Sequence, residues 1–320
     1  MQGVILAAGK GSRLHPITLA RSKAMMPILG RPMVARVLEM LHANAIDEFI
    51  LVVSPDDPHI EDYFIREYLP TRADVRVHFV YQTERRGMAD ALGRAAPLIR
   101  GPFVLSACDN LVVAAHVDEL LKVLRARPHA QGVLSLMPIP ADKIGKTGMV
   151  ALDGERVTRI VEKPDPRDAF SDIGSLPLYV FQPRLLDYLA EVPLSPRGEY
   201  ELQDAIQMLI DREGGVYGVV TDSRLTVTSA ADLLAVNRHY LLTGDGQPQL
   251  APRRVGPGTH LITPLYIEEG VEIGAGCVIG PHVYVERGAL IGDGAHLEDA
   301  VVLRDATVDA GRCVVGDVVA

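Results

Sequence analysis

The chain predicts an α/β architecture followed by a short left-handed parallel β-helix, and three observations carry that reading. Over residues 1–242, short apolar runs alternate with amphipathic stretches of helical spacing. Such alternation builds right-handed βαβ units on a mostly parallel sheet. Residues 243–258 hold Gly-Asp-Gly-Gln-Pro-Gln and further prolines without periodicity, which marks a linker. Over 259–320, apolar residues recur every six positions, at Leu261, Ile267, Ile273, Ile279, Val285, Ile291, Leu297 and Leu303. A repeat of that length stacks as the faces of a triangular coil around one core.

Each element follows from its local pattern. Residues 4–8 form a continuous apolar run, the mark of a buried strand, and 9–31 a loop rich in Gly, Pro and Ser. Helical spacing covers 33–42, 60–69, 88–98, 117–124, 202–212 and 231–242. Apolar, β-branched runs predict strands at 49–53, 75–81, 103–106, 132–137 and 178–181. A hairpin is expected from 149–152 and 156–161 across Asp153-Gly154. In the tail a second track of smaller residues runs beside the first, from Leu265 and Val271 to Cys313 and Val319. The main track breaks phase at Asp309, with Val315 back in phase.

With 320 residues, the chain is long enough for one large domain and a smaller one. A hydrophobic fraction of 48% and a charged fraction of 23% are those of a soluble globular protein. The net charge of −9 and the lack of a basic stripe argue against a nucleic-acid partner. Cys108, Cys277 and Cys313 are far apart and without metal-ligand spacing, as expected in a reducing cytosol. The start Met-Gln-Gly-Val-Ile has no basic region before an apolar one, and no apolar run is long enough for a bilayer. A cytoplasmic protein with no membrane partner is expected.

Four strings carry candidate chemistry. The first runs from Leu6-Ala7-Ala8-Gly9-Lys10-Gly11-Ser12-Arg13-Leu14 through Pro16 and Thr18 to Ser22-Lys23-Ala24-Met25-Met26-Pro27. Its glycines let backbone N–H groups approach phosphate oxygens, Arg13 offers a two-pronged phosphate donor, and Lys23 a point charge. Its spacing matches neither the dinucleotide fingerprint nor a P-loop. The second is Gln82-Thr83-Glu84-Arg85-Arg86-Gly87-Met88-Ala89-Asp90-Ala91-Leu92, in which an amide that donates and accepts suits a base edge. Arg85 and Arg86 read as a solvated pair. The third, Ser106-Ala107-Cys108-Asp109-Asn110-Leu111, sets a carboxylate at a strand's C-terminal end, where open α/β sheets bind ligands. The fourth is Gly148 followed by Val161-Glu162-Lys163-Pro164. Taken singly, each string is also what a surface turn would show.

Taken together and in order, the strings resemble the sugar-1-phosphate nucleotidylyltransferase family. Gly9, Gly11, Arg13, Leu14, Pro16, Thr18, Lys23, Met25 and Pro27 match its signature in register, and Gly198-Glu199-Tyr200-Glu201-Leu202 matches a later segment. The resemblance implies a Rossmann-like nucleotide-diphospho-sugar transferase fold. It also implies the reaction of a nucleoside triphosphate with a sugar 1-phosphate to give an NDP-sugar and pyrophosphate. Arg13, Lys23 and Lys163 would be catalytic. Leu6, Ala8, Gly9, Gly11, Ser12, Arg13, Gln82 and Gly87 would bind nucleotide, and Gly148, Glu162, Lys163 and Ser175 the sugar phosphate. Asp109 would hold Mg²⁺. The Cys108–Leu111 string and Gln82 look like the thymidylyl and uridylyl branch, which points to glucose 1-phosphate with dTTP or UTP. Mannose 1-phosphate with GTP and N-acetylglucosamine 1-phosphate with UTP stay open.

The chain also departs from the family pattern. Ser22 stands for Pro, Met88 for Thr, Cys108 for Gly, Thr147 for an aromatic residue, and Ser175-Leu176-Pro177 for Asn-Ala-Gly. Thr226 stands where a second metal-binding Asp is usual, with Asp222 four residues upstream. These departures motivate an alternative, a catalytically weakened regulatory subunit that binds nucleotide sugars. The flat faces of a β-helix lead to the expectation of a homo-oligomer formed through the tail.

Overall fold

The computed structural model describes residues 1–9, 11, 14, 17, 18, 21–243 and 250–320, apart from the side chain of Ala141. The chain forms two compact units: Met1–Gly9 with Val37–Arg224, and Lys10–Arg36 with Leu225–Ala320. The boundary expected at 242 is therefore not where the packing divides. The glycine-rich segment groups with the C-terminal residues.

In the first unit, the described residues form a nine-stranded sheet. Gln2–Leu6, buried throughout, lies between Glu48–Val53 and Phe103–Ala107 and is parallel to both. Arg76–Tyr81 extends the sheet on the Glu48–Val53 side, also parallel. The chain thus builds outward on one side of its first strand and then returns to the other. The C-terminal ends of Gln2–Leu6 and Phe103–Ala107 meet at that reversal, the usual place for a ligand in an open α/β sheet.

Beyond Phe103–Ala107 the sheet is mixed rather than mostly parallel. Ile173–Phe181 runs antiparallel to Phe103–Ala107, to Gly132–Pro138 and to Met149–Asp153. This strand is longer than the expected 178–181, and its pairing with Gly132–Pro138 shifts register between Leu176 and Tyr179. Pro177 sits in that gap; a proline has no N–H for the ladder, so the strand bulges there. The hairpin Met149–Asp153 with Arg156–Val161 forms as expected. A strand the periodicity missed, Val216–Val220, lies parallel to Gly132–Pro138. It carries Gly218, where a Cβ would come within 2.3 Å of Leu136 Cδ1.

The helices follow their apolar stripes. Leu202, Ala205, Ile206 and Leu209 of Leu202–Arg212 are buried, as are Ala89, Leu92 and Ala95 of Met88–Ala95. Both stripes join one core with Val4, Phe103, Tyr179 and Phe181. The helix expected at 60–69 is a regular α-helix only over Pro58–Tyr63. It then widens over Phe64–Tyr68 and tightens over Leu69–Thr71. Pro70 explains the change, because its ring crowds the carbonyl four residues back and offers no N–H.

In the second unit, the hairpin Pro27–Ile28 with Arg31–Pro32 turns through Leu29 and Gly30, at φ 42° and 75°. Helix Ala230–Thr243 places Asn237 beneath it: Nδ2 donates to the Pro27 and Leu233 carbonyls at 3.1 and 2.9 Å, and Oδ1 accepts from Leu29 N at 3.0 Å. The tail then visits three four-stranded parallel sheets in turn around a core of Leu265, Ile267, Ile273, Ile279, Val285 and Ile291. Arg254–Val255 already belongs to one of these sheets, so regular structure begins inside the expected linker. Residues 244–249 of that linker lie outside the described residues.

The six-residue phase does not break at Asp309. Val285 pairs with Val302, Ile291 with Val308 and Leu297 with Val314. One residue fewer therefore separates Leu297 from the next core position. The true core residues are Val302, Val308 and Val314, while Val315 is 56% exposed. Thr307 and Cys313 of the expected second track are exposed as well. Among the described residues, no helix is long and apolar enough to cross a membrane.

Candidate active site

The switch point of the first unit is tied together by backbone. Ala7 N donates to Val52 O at 2.8 Å, and Cys108 N to Leu6 O at 3.1 Å. Leu6 and Ala8 are buried, so only their backbone is at hand for a ligand. Arg85 is not solvated: Nε donates to Ala8 O at 2.8 Å and Nη2 to Ser54 Oγ at 3.0 Å. It binds the 82–87 loop to the end of the first strand, whereas Arg86 stays half-exposed beside Glu84.

Gln82 is 4% exposed, and its Nε2 donates to Gly87 O at 3.1 Å and to Asp90 Oδ2 at 2.8 Å. A carboxylate only accepts, so the nitrogen must face Asp90 and Oε1 is left for a ligand's donor. Gly87, at φ 103°, has a packing reason of its own. A Cβ there would meet Tyr200 O at 2.5 Å, where the helix Met88–Ala95 begins against that residue.

Asp109 sits in the turn after Phe103–Ala107, as its position at a strand end predicted. Its neighbour Asn110 is fully buried and accepts at Oδ1 from Arg224 Nε at 2.8 Å. Asn110 Nδ2 has no hydrogen-bond partner among the described residues. Burial pulls the Arg224 guanidinium below its ordinary value, with Asp109 and Tyr179 acting in the opposite sense. An arginine remains charged through such a shift.

The residues predicted for a sugar phosphate come together in the same unit. Ser175 N donates to Gly148 O at 2.8 Å, and Lys163 N to Thr147 O at 3.2 Å. A Cβ on Gly148 would come 2.7 Å from Ser175 Oγ and 3.0 Å from Glu162 Oε2. The glycine is thus required by the closeness of these side chains. Lys163 adopts a positive φ of 44°, and its Nζ lies 3.1 Å from Glu162 Oε1. Burial pushes the Glu162 carboxyl up; Lys163 and Arg197 pull it back, and Glu201 pushes it further.

Five residues of this cluster were not singled out in advance. Tyr179 OH donates to Ser175 Oγ at 3.2 Å from a fully buried ring, and burial pushes its phenol well up. Arg197 pairs with Glu201 at 2.9 Å. Gln203 Nε2 lies 3.4 Å from where a Gly148 Cβ would be. Arg224 is the fifth. The Gly-Glu-x-Glu match at 198–201 was the available signal for Arg197, Glu201 and Gln203; nothing local marks Tyr179 or Arg224.

Of the residues in the second unit, Gly11 has φ 67°, and a Cβ on it would meet Lys23 Cβ at 2.6 Å. Lys23 opens the short turn Lys23–Met25. Ser12 and Arg13 lie outside the described residues. Thr226 is half-buried just before Val227, while Asp222, in the first unit, is exposed. No group of three or more His, Cys, Asp or Glu residues that could hold a metal occurs among the described residues. One carboxylate at a strand end still fits Mg²⁺, which commonly takes one or two carboxylates and fills its shell with phosphate oxygens and water.

Residues 2–241 match the family model described as nucleotidyl transferase. The chain belongs to the nucleotidyl transferase family. Residues 261–320 match a second model, described as the GMPPB C-terminal domain. The UTP–glucose-1-phosphate uridylyltransferase of Streptococcus pneumoniae serotype 4 is 30% identical over 237 residues, 65% of this chain and 79% of that protein. Mannose-1-phosphate guanylyltransferase 1 of Arabidopsis thaliana is 26% identical over 327 residues, 100% of this chain and 86% of that protein. A solved UDP-glucose pyrophosphorylase from Acinetobacter baumannii shares the fold at TM-score 0.67 and 23% identity, over 78% of this chain and 95% of that one. As a family member the chain is a nucleotidyltransferase, and relatives over 65% and 100% of its length are named for sugar 1-phosphates.

Proposed function

We propose that this nucleotidyltransferase joins a nucleoside monophosphate unit to a sugar 1-phosphate and releases pyrophosphate. One observation carries the reading. In the first unit, Arg224 meets Asn110 beside Asp109 and acts electrostatically on Tyr179, which meets Ser175 in the cluster of Gly148, Glu162 and Lys163. In chain order we propose a catalytic region at 1–242 and a left-handed β-helix at 259–320, whose sheets begin already at Arg254–Val255 within the 243–258 segment. We assign the tail to self-association and the protein to the cytoplasm.

The chemistry asks for alignment and charge, not for a base. A sugar-phosphate oxygen is ionised at neutral pH; it bonds to the α-phosphorus as the α–β phosphoanhydride bond breaks, and the electrons leave with pyrophosphate. Two anions must be brought together, which fixed cations make possible. Lys163 neutralises the sugar phosphate, and Glu162 accepts from sugar hydroxyls. By the signature to which they belong, Arg13 and Lys23 meet the triphosphate, alongside the backbone of Leu6, Ala8, Gly9, Gly11 and Ser12. Mg²⁺ held by Asp109 would supply further charge neutralisation on phosphate oxygens. Arg224, fixed on Asn110, adds a permanent positive charge beside that carboxylate, on a chain whose position 226 is threonine.

Gln82 narrows the base. Its Oε1 accepts, so it suits the imide N–H of uracil or thymine, or the ring N–H of guanine; adenine offers it only an exocyclic amine. Glucose 1-phosphate with UTP or dTTP is the first reading. Mannose 1-phosphate with GTP is the second, favoured by the full-length guanylyltransferase relative and the match of residues 261–320.

The test is pyrophosphate release from the purified protein with Mg²⁺, across the four NTPs and dTTP and the glucose, mannose, galactose and N-acetylglucosamine 1-phosphates. Turnover with one uracil, thymine or guanine nucleotide settles the pair. Silence across the grid with nucleotide still bound would favour the regulatory-subunit reading, and turnover with ATP alone would remove the role given to Gln82.

A further inference from the structure

We infer that Glu286, on the C-terminal coil, is a positioning residue for Lys23 and acts through Arg21; this rests on the phosphate-binding reading of the glycine-rich segment. Arg21 Nη1 donates to both Glu286 oxygens, at 2.7 and 2.9 Å, across 265 residues of sequence. The Glu286 side chain is 2% exposed and that of Arg21 17%. A pair so placed in water would contribute little; buried, with one guanidinium nitrogen shared by both carboxylate oxygens, it sets geometry.

Glu286 does not need Arg21 merely for neutrality. Its Oε2 also accepts from Arg304 N at 2.7 Å, and Arg304 Nε lies 3.3 Å from Oε1. A second anchor lies two residues earlier, on strand Val283–Val285. Tyr284 accepts from Gly30 N at 3.2 Å and donates to Glu268, which Arg287 Nε also reaches at 2.9 Å. Lys23 is therefore bracketed by coil contacts at Arg21 and at Gly30. Between them the chain closes on itself, with Met25 N on Ser22 O at 3.0 Å and Met26 N on Lys23 O at 3.1 Å. An ammonium that steadies a reacting phosphate must be held to fractions of an ångström, and this bracket can hold it.

The test uses the full chain as wild type, Arg21→Ala, Glu286→Gln and the double variant. Two quantities are read: amide exchange at Met25 and Met26 without substrates, with residues 271–319 as reference, and KM and kcat for each substrate. The expected result is exchange at Met25 and Met26 faster by about tenfold in each single variant, with no further gain in the double. The kcat/KM for the nucleotide falls about tenfold, while KM for the sugar 1-phosphate stays within about twofold. Should Glu286→Gln loosen the coil itself, Arg21→Ala decides, because it removes nothing from the coil's core. Wild-type exchange at Met25 and Met26 in Arg21→Ala, or unchanged nucleotide kinetics with a loosened turn, would overturn the inference. A wild type inactive on every substrate pair would sink the reaction reading instead, and the exchange data would still decide whether the anchor exists.

Discussion

Glu268 and Glu286 of the coil and Glu162 of the sheet unit are compensated in different ways. In the coil, Glu286 is surrounded by Arg21, Arg304 and a backbone N–H, and Glu268 by Tyr284 and Arg287. In the sheet unit, Glu162 is buried with one close cation, Lys163, and with Glu201 acting against it. Arg224 is half-buried, hydrogen-bonded to the neutral amide of Asn110, with the Asp109 carboxylate acting on it electrostatically. Full compensation marks a charge that holds structure; incomplete compensation marks one kept for a ligand. The difference teaches where to look for chemistry: at the charges whose compensation is incomplete, not at the densest ion pairs.

The sharpest way to break this comparison is Lys163→Ala. Its side chain is 38% exposed and its backbone bond to Thr147 survives the change, so kcat/KM should fall by about a thousandfold with the fold retained. A loss under about tenfold would mean that Lys163 serves Glu162 and not a substrate.

Val302→Ala and Val315→Ala test the coil next, where packing and not charge dominates. The first should destabilise by about 2 kcal/mol and the second by less than about 0.5 kcal/mol in denaturant titrations. Equal losses would restore the uninterrupted six-residue phase.

Arg224→Gln should lower kcat by about tenfold, and Arg224→Lys should not recover it, because Asn110 is met by a guanidinium Nε–H that lysine lacks. Recovery by lysine would reduce Arg224 to a bare charge.

The smallest effect concerns Glu162. Burial raises its folded-state value above the ordinary one near 4.5, so its protonated form favours folding. Stability from this group is full below that ordinary value and declines as pH rises through the raised one. Glu162→Gln should therefore gain melting temperature relative to wild type between pH 4 and pH 7, while KM for the sugar phosphate rises. A constant difference across that range would show that Glu162 is as well compensated as Glu286.

Much of the molecule was legible before any coordinates. Short apolar runs announced the strands on both sides of the switch point, because buried strands need no alternation. Asp109 was placed at a strand end by the run before it, and Gly148, Glu162, Lys163 and Ser175 lie close to one another. The strand Val216–Val220 went unread because Gly218 interrupts its apolar pattern, and only the tight seat beside Leu136 explains that glycine. The slip in the coil was hidden because Leu303 and Val315 keep the six-residue period and only pairing shows which residue faces the core.

By itself, then, the sequence determined most of the strands and helices, the six-residue period of the tail up to Leu297, and the family whose strings it carries. These are local properties, written in residues a few positions apart. The tertiary structure alone decided that Arg224 meets Asn110 across 114 residues and that Arg21 meets Glu286 across 265. Such meetings follow from how sheet and coil close on themselves, and a side chain's partner at that distance leaves no trace in its neighbours along the chain.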